Sequence, residues 1–261
     1  MPVTLKVKSG NAAVKAHREA AARRVLDHFN GTLPSSRLLC FLDDGDPAEL
    51  KQVFGVANRG VYGAISDSTP LAIWPEYVSS CILVDDGVSL LYPRVIDDLV
   101  YLYGSTCGNE VGLTMTLAHE LQHAIQHSNA RNVWAVNGLV PQLHKTVIAA
   151  LKLQWFDIPI ERETRIVSKR VAVEFFGEQR VTQYIDEKIG EGITESDVAD
   201  WQFVRALTPS SSVEIVADTH RLFQRLKGYR SELEAVLQEK KDDPDFGDID
   251  LDCFFEEERT Q

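Results

Sequence analysis

The sequence predicts an α+β fold, in which a small N-terminal sheet leads into a predominantly helical C-terminal part. In the first hundred residues, short apolar runs such as RLLCFLD at 37–43 and CILVDDG at 81–87 are bounded by turn residues, as is typical of buried strands. From residue 109 onward, helical spacing of apolar residues takes over. We therefore divide the chain into an α+β part at 1–108, a helical part at 109–240 and an acidic tail at 241–261.

A helix is expected near the start of the N-terminal part. Residues 11–29 are rich in Ala and Arg, and apolar residues such as Val25 and Phe29 recur near helical spacing. The run at 37–43 ends in the turn sequence DDGDP, and the stretch from there to 81 contains several Gly and Pro residues. Short strands and loops are therefore expected in that stretch.

The helical part contains six predicted helices, separated mostly by Gly, Pro or Ser. They cover 110–128, 131–156, 160–176, 178–189, 195–206 and 212–239. Asn109 is a good N-cap for the first of them. Apolar residues at steps of four, four and three form one stripe along this helix, namely Leu113, Leu117, Leu121 and Ala124. Such a stripe indicates a side that packs against the core.

The same helix contains the sequence HELQH. His119 and His123 are four residues apart, so both imidazoles lie on one face of the helix and can converge on one ion. Glu120 emerges beside that face, where it can act as a general base. His127 continues the spacing, but three such residues span about 12 Å of helix axis, too far for bonds of about 2 Å to one ion. We therefore interpret His127 as a partly exposed polar residue near the helix end, which can hydrogen-bond to substrate or to a neighbouring carboxylate.

A third ligand is expected from the helix that follows Pro159. Glu161 and Glu163 both fall in its first turn, where acids also complement the helix dipole. A second buried stripe is predicted at Ile160, Thr164, Val167, Val171 and Phe175. Glu161 precedes Thr164 by one turn, so it is the acid expected to point inward, where a metal ion would neutralise it. Glu163 and Glu174 remain the alternatives.

HELQH, followed some forty residues later by Pro-x-Glu-x-Glu, resembles the gluzincin class of zinc metallopeptidases. HELQHxxQ, which ends at Gln126, also resembles groups of bacterial metallopeptidase-like proteins. The resemblance implies a zincin-like active-site helix, with Zn²⁺ bound by His119, His123 and Glu161. It also implies that Glu120 serves as the catalytic base for a metal-activated water. Many members have Ala and Asp after the ligand glutamate, where this chain has Thr164 and Arg165.

The implied activity is hydrolysis of peptide or amide bonds, with a peptide or protein as substrate. An edge strand for an extended substrate is expected at 81–86 or at 88–95. Tyr184 and His220 are candidates for stabilising an oxyanion, although packing explains an isolated Tyr or His equally well. The alternative is a catalytically inactive protein of metallopeptidase-like fold that acts by binding a partner.

Charge and composition exclude several other classes. The formal charge is −12, which argues against binding to nucleic acid. No run approaches the roughly 20 apolar residues of a membrane helix, the N-terminus does not resemble a signal peptide, and the four cysteines form no CxxC pair, so a cytoplasmic protein is expected.

The tail at 241–261 contributes much of the charge. Between 242 and 261 it has nine acids against a single arginine. This composition indicates a disordered solubilising segment. The alternative is a segment that docks on a protein partner or folds back over the cleft of this chain.

Overall fold

The computed structural model of the protein describes residues 3–34, 38–43, 60–64, 84–85, 88–89, 97–104, 108–192, 194–243 and 245–255. It confirms the predicted α+β fold, with a small mixed sheet in the N-terminal part and helices in the C-terminal part. None of the helices in these ranges combines the length and the apolar character that crossing a bilayer requires.

The described sheet has four strands in the order β1, β2, β6, β3. They are β1 (Val3–Lys8), β2 (Leu38–Asp43), β3 (Gly60–Ala64) and β6 (Asp98–Leu102), and a separate antiparallel pair is formed by β4 (Val84–Asp85) and β5 (Val88–Ser89). β1, β2 and β6 are parallel, whereas β3 runs antiparallel to β6 at the end of the sheet. The predicted strand at 37–43 is thus confirmed as β2. Most of the one predicted at 81–87 lies outside the described residues.

Ten helices lie in the described ranges. They are α1 (Ala12–His28), α2 (Glu110–Asn129), α3 (Arg131–Leu139), α4 (Lys145–Leu151), α5 (Pro159–Phe176), α6 (Glu178–Glu191), α7 (Glu195–Ala206), α8 (Ile215–Arg225), α9 (Arg230–Glu239) and α10 (Asp252–Phe255). The helices predicted at 110–128, 160–176, 178–189 and 195–206 are confirmed within two residues at each end.

Two predicted helices were wrong in extent, because each is divided in the structure. The one at 131–156 breaks after α3, where Pro141 lacks the N–H that a continuing helix needs, and again at Lys152, whose left-handed backbone ends α4. The one at 212–239 breaks at a 3₁₀ turn around Gly228, a poor helix former. Leu226 and Leu233 are both fully buried on either side of this turn, so the apolar spacing continues across it and conceals the break.

α2 lies between the sheet and α5. Its predicted stripe is confirmed, because Leu113, Leu117, Leu121 and Ala124 are at most 1% exposed, and the three leucines pack against α1 and strands β2 and β6. Each buried leucine contributes roughly 1.5–3 kcal/mol of hydrophobic stabilisation. Val171 of α5 packs on the same cluster. This packing fixes the rotation of α2 and therefore the direction in which its two histidines point.

The prediction of a disordered tail was wrong for residues 245–255. Phe246, Leu251, Phe254 and Phe255 are buried, and the last two pack against Phe223 of α8, with ring centroids 5.7 and 5.5 Å apart. The acids of this segment alternate with apolar residues, which α8 and its neighbours cover. The free energy gained by burying these apolar residues outweighs the repulsion between the acids. Docking of the tail on a protein partner remains a prediction.

Asp245 joins this segment to α2 and α3. Its Oδ1 lies 3.0 Å from His127 Nε2 and accepts a hydrogen bond of 2.8 Å from Arg131 Nε. His127 Nδ1 in turn lies 2.9 Å from the hydroxyl of Tyr62, which donates to Asp98 at 2.7 Å. The interpretation of His127 as the partner of a carboxylate is therefore confirmed. The C-terminal segment reaches strand β3 through this histidine.

We expect Asp245→Ala to lower the free energy of unfolding by about 1–3 kcal/mol, because it leaves His127 and Arg131 without their shared acceptor. Burial would raise the pKa of Asp245, but hydrogen bonds and charge from His127 and Arg131 outweigh it and lower that pKa. The stabilisation is therefore lost as pH falls below about 4, the ordinary value. Urea denaturation at pH 5 and pH 3 should show the difference from wild type shrinking. The exposed Asp248→Ala is the control, and an equal effect of both changes would contradict the assignment.

Candidate metal centre

α2 presents two imidazoles to the interior of a cleft. The Nε2 atoms of His119 and His123 lie 3.2 Å apart, and the two rings meet edge to face. Both side chains are largely buried, at 20% and 10% exposure. The i, i+4 spacing therefore brings the two ring nitrogens to one point, as the sequence predicts.

A carboxylate from α5 completes the cluster. Glu161 Oε1 lies 3.3 Å from His123 Nε2, and Glu161 Oε2 lies 3.6 Å from His119 Nε2. Pro159 at the start of α5 places Glu161 in the first turn, which faces α2. α5 thus supplies an anionic oxygen to the point where the imidazoles converge.

The two alternative acids lie elsewhere. Glu163 Oε2 accepts hydrogen bonds from the side-chain amides of Gln122 and Gln126, at 3.0 and 2.8 Å. Glu174 is 59% exposed and lies near His28. Of the three acids, Glu161 is therefore the one that reaches both imidazoles.

The spacing of the three groups fits a metal ion. Their candidate ligand atoms all lie within 4.8 Å of one another. Four ligands at about 2.0–2.1 Å from a tetrahedral zinc ion lie about 3.3 Å from one another. The two Nε2 atoms lie 3.2 Å apart, and they lie 3.3 and 3.6 Å from the two different oxygens of Glu161. Two imidazole nitrogens and one carboxylate oxygen also form a donor set that suits zinc, and they leave a fourth position for another ligand.

Gln126 orients His123. Its Oε1 lies 2.9 Å from His123 Nδ1, while its Nε2 donates to the backbone oxygen of Ile160 and to Glu163. Because the amide oxygen is an acceptor, His123 Nδ1 donates the hydrogen and Nε2 keeps its lone pair for the cluster. The sequence pointed to Gln126 only through the resemblance of HELQHxxQ. The structure shows its physical role, which includes tying α2 to the start of α5.

The cluster is strongly coupled electrostatically. Burial and the neighbouring His123 hold the pKa of His119 well below its ordinary value. Burial would also lower the pKa of His123, but the charge of Glu161 outweighs it and raises that pKa. Burial would raise the pKa of Glu161, but His123, Arg165 and His119 hold it well below the ordinary range. Glu161 is therefore an anion at neutral pH, whereas His119 is neutral.

Glu120 lies next to the cluster, buried between α2 and strand β3. The backbone of Tyr62 donates a hydrogen bond to its carboxylate, yet burial dominates and raises its pKa to about 7. Gly60 makes this approach possible, because a Cβ there would lie 2.9 Å from Thr116 Cγ2 and 3.2 Å from Glu120 Oε1. At neutral pH, Glu120 can therefore both accept and donate a proton.

Arg165 has a role at the site that the sequence did not predict. Its Nη1 donates to Glu161 Oε2 at 2.7 Å, and its Nε donates to Asp200 of α7 at 2.6 Å. Where many gluzincins have an acid, this chain thus has a cation, which directly holds the carboxylate of Glu161, the third candidate ligand. Thr164, the other departure, donates to the backbone oxygen of Glu161, and its Oγ1 lies 3.4 Å from His119 Nε2. Asp200 gives no local sequence signal, since it reaches Arg165 only through the packing of α7.

The cluster opens into a cleft of about 660 Å³. Its walls come from β3, from α2 and α5 with Glu120 and the cluster, from Trp134 and Trp155, and from the start of α7. The edge strands predicted at 81–86 and 88–95 lie mostly outside the described residues. The strand that lines the cleft is β3.

The two candidates for stabilising an oxyanion do not line this cleft. Tyr184 is buried against α2, and a Cβ at Gly112 would lie 2.5 Å from its hydroxyl oxygen. Because Gly112 has no side chain, Tyr184 can pack closely against α2. The glycine therefore has a packing role and is not merely tolerated at an early helix position. The ring of His220 stacks on Phe254 in the C-terminal segment. Packing explains both residues.

Comparison with known proteins adds no further constraint on the site. The chemistry of the cleft therefore indicates the function: His119, His123 and Glu161 converge there, and Glu120 lies beside them. Searches against models of protein families, against curated proteins and against solved structures found no match to this chain.

Proposed function

We propose that the protein is a zinc-dependent metallopeptidase that hydrolyses peptide or amide bonds, similar in its site to the gluzincins. The observation that supports this most strongly is the convergence of the three groups: the two Nε2 atoms lie 3.2 Å apart, each lies within 3.6 Å of a Glu161 oxygen, and one ligand atom from each residue lies within 4.8 Å of the others. His119, His123 and Glu161 would hold the ion. Three protein ligands and an open fourth position are typical of catalytic rather than structural zinc sites.

Zinc in this position would polarise a substrate carbonyl and lower the pKa of a water molecule. Glu120, beside the cluster, would take a proton from the attacking water and pass it to the leaving nitrogen. Its pKa of about 7, raised by burial, suits a group that must do both near neutral pH. The hydrogen bond from the Tyr62 backbone holds its carboxylate in place during both transfers.

A peptide fits the cleft better than a small amide does. β3 is the last strand in the order of the described sheet and lines the cleft beside Glu120. An extended peptide can bind to the edge of such a strand through main-chain hydrogen bonds. The cleft of about 660 Å³ also exceeds what one amide group needs.

Metal removal tests the proposal. We expect purified protein to contain about one zinc ion per chain and to cleave peptides in a proteome-derived library read by mass spectrometry. Dialysis against 1,10-phenanthroline should abolish cleavage, and one equivalent of zinc should restore it. The matched control is the same dialysis against the non-chelating 1,7-isomer. Zinc-loaded protein that leaves every peptide intact would count against a peptidase.

Zinc binding should release protons. His123 has a raised pKa because the charge of Glu161 outweighs burial, and it must be neutral to bind a metal. We therefore expect zinc binding to displace a proton from this residue, and zinc affinity to fall as pH falls. Calorimetry in phosphate and Tris buffers gives the proton count. Glu120→Gln removes the contribution of Glu120, and a count of zero in that variant would contradict the assignment.

We also propose the cytoplasm as the compartment. Cys40 is a buried, free cysteine. Burial raises the pKa of Cys40 to about 12, so its thiol is unreactive. Free thiols of this kind fit a reducing compartment.

A further inference from the structure

A second cavity lies beside the metal cleft. It measures about 620 Å³ and lies between α4, the 3₁₀ turn Trp155–Asp157 and the start of α7. Its wall is mainly apolar, with Leu143, Ile148, Leu153 and Ile158. We call it the apolar side pocket. Its size lies within the range of roughly 300–1,000 Å³ that is typical of ligand pockets.

The apolar side pocket is continuous with the metal cleft. Pro141, Trp155 and Ser196 line both cavities. A peptide that extends along the cleft from Glu120 can therefore place its side chains in the pocket. The pocket thus adjoins the metal cleft and is not an isolated hollow.

Trp155, at the junction, is held in an exposed position. Its side chain is 47% exposed, one of two large apolar residues in the described ranges with such exposure. The turn that carries it is fixed on both sides. The Gln154 N–H donates to Asp157 Oδ2 at 2.9 Å, and the next ring, Phe156, stacks on Phe203 with centroids 4.5 Å apart. A large apolar side chain held at the surface by a rigid turn is typical of a contact for a ligand.

Two lysines flank the apolar wall. Lys145 and Lys152 line the pocket, both are exposed, and neither has an ion pair within the described part of the chain. Lys152 also has a left-handed backbone, with φ of 50°. In a chain of net charge −12, these two exposed cations beside an apolar wall can attract a carboxylate.

We infer that the apolar side pocket is a substrate subsite, which binds bulky apolar side chains of a peptide whose adjacent carboxylate pairs with Lys145 and Lys152. This inference rests on the proposed function for its substrate, but its binding step does not require turnover. It gives the peptidase a preference for sequences in which large apolar residues precede an acidic residue. A free C-terminal carboxylate would satisfy the same two lysines.

Binding to the zinc-loaded Glu120→Gln protein tests the subsite without cleavage. Fluorescent amidated peptides containing Leu-Phe-Glu, Leu-Phe-Gln or Ser-Ser-Glu are compared by anisotropy with one that ends in Leu-Phe and a free carboxylate. We expect Leu-Phe-Glu to bind at least tenfold more tightly than Ser-Ser-Glu. Equal binding of the amidated peptides would overturn the inference. The free-carboxylate peptide shows whether a side chain or a chain terminus is the preferred anion.

Matched variants locate the binding. In the Glu120→Gln background, Trp155→Ala should weaken Leu-Phe-Glu by about tenfold, whereas Val216→Ala, at the other exposed apolar residue, should not change it. Lys145→Gln with Lys152→Asn should remove the preference for Glu over Gln, and Asn is chosen because it tolerates the left-handed backbone. Lys227→Gln is the charge control. Binding unchanged in both pocket variants would overturn the inference.

The two proposals fail in different ways. If Trp155→Ala weakens binding but the wild type cleaves no peptide, the pocket stands and the metallopeptidase proposal fails. If the wild type cleaves peptides and the pocket variants bind and cleave as it does, the metallopeptidase proposal stands and the subsite inference fails.

Discussion

Replacing Glu120 by Gln should retain zinc and reduce kcat by about 10²–10⁴-fold, the usual contribution of a general acid–base group. Gln keeps the shape of the side chain and an oxygen that accepts the hydrogen bond from the Tyr62 backbone. It cannot accept the proton of the attacking water. Metal content by mass spectrometry and peptide turnover by chromatography give the two measurements. The folded state is checked by circular dichroism.

The same variant separates the metallopeptidase from a catalytically inactive binding protein, because both would contain zinc. A wild type that turns over peptides and a Glu120→Gln variant that does not would support catalysis. Thr116→Ser is a suitable control, because Thr116 lies near Gly60 in a smaller cavity that His119 and Glu120 also line, but has no proposed role in proton transfer. Equal, measurable activity in wild type and Glu120→Gln would contradict the role of Glu120, whereas a wild type inactive on every peptide would favour the binding protein.

The site could be predicted from the sequence where one helix determines the geometry. His119 and His123 converge because residues four apart share a helix face, and the stripe that begins at Leu113 fixes which face turns inward. The same geometry correctly removes His127 from the ligand set. Glu161 required only one further step, namely its position one turn before the buried Thr164 on the next helix.

Contacts between distant segments could not be predicted in this way. Asp200 lies 35 positions from its partner Arg165, and Asp245 lies 118 positions from His127. Nothing local marks either acid, because exposed acids are common in a chain of net charge −12. The backbone of Tyr62 is a still harder case, since its hydrogen bond to Glu120 uses an N–H group that every non-proline residue has.

The extent of helices shows a related limit. Apolar spacing reports which residues are buried, and Leu226 and Leu233 are buried on either side of a turn just as they would be along one helix. The tail shows the converse. Its composition indicates disorder, but Phe254 and Phe255 find a complementary surface on α8, which the tail sequence alone does not contain.

Glu161→Gln, Glu163→Gln and Glu174→Gln make the same chemical change at three places on α5 and should give three different results. Glu161→Gln removes the anionic ligand itself. Zinc affinity should therefore fall by more than the roughly 10–100-fold loss that follows removal of a residue hydrogen-bonded to a ligand. Glu163 is not a ligand but accepts a hydrogen bond from Gln126, so Glu163→Gln should lower zinc affinity by an amount within that range. Glu174→Gln should leave zinc affinity unchanged, because this residue is exposed and lies near His28.

The order of the three results matters more than any single value. Competition with a chromophoric chelator measures all three affinities on the same scale. A general effect of negative charge near α2 would make the three losses similar, whereas direct ligation makes the loss at Glu161 much the largest. If Glu163→Gln lost more zinc affinity than Glu161→Gln, the metal would have to bind in a different arrangement. Arg165 would then be explained as the charge partner of a structural carboxylate, because its hydrogen bond to Glu161 does not depend on the ion.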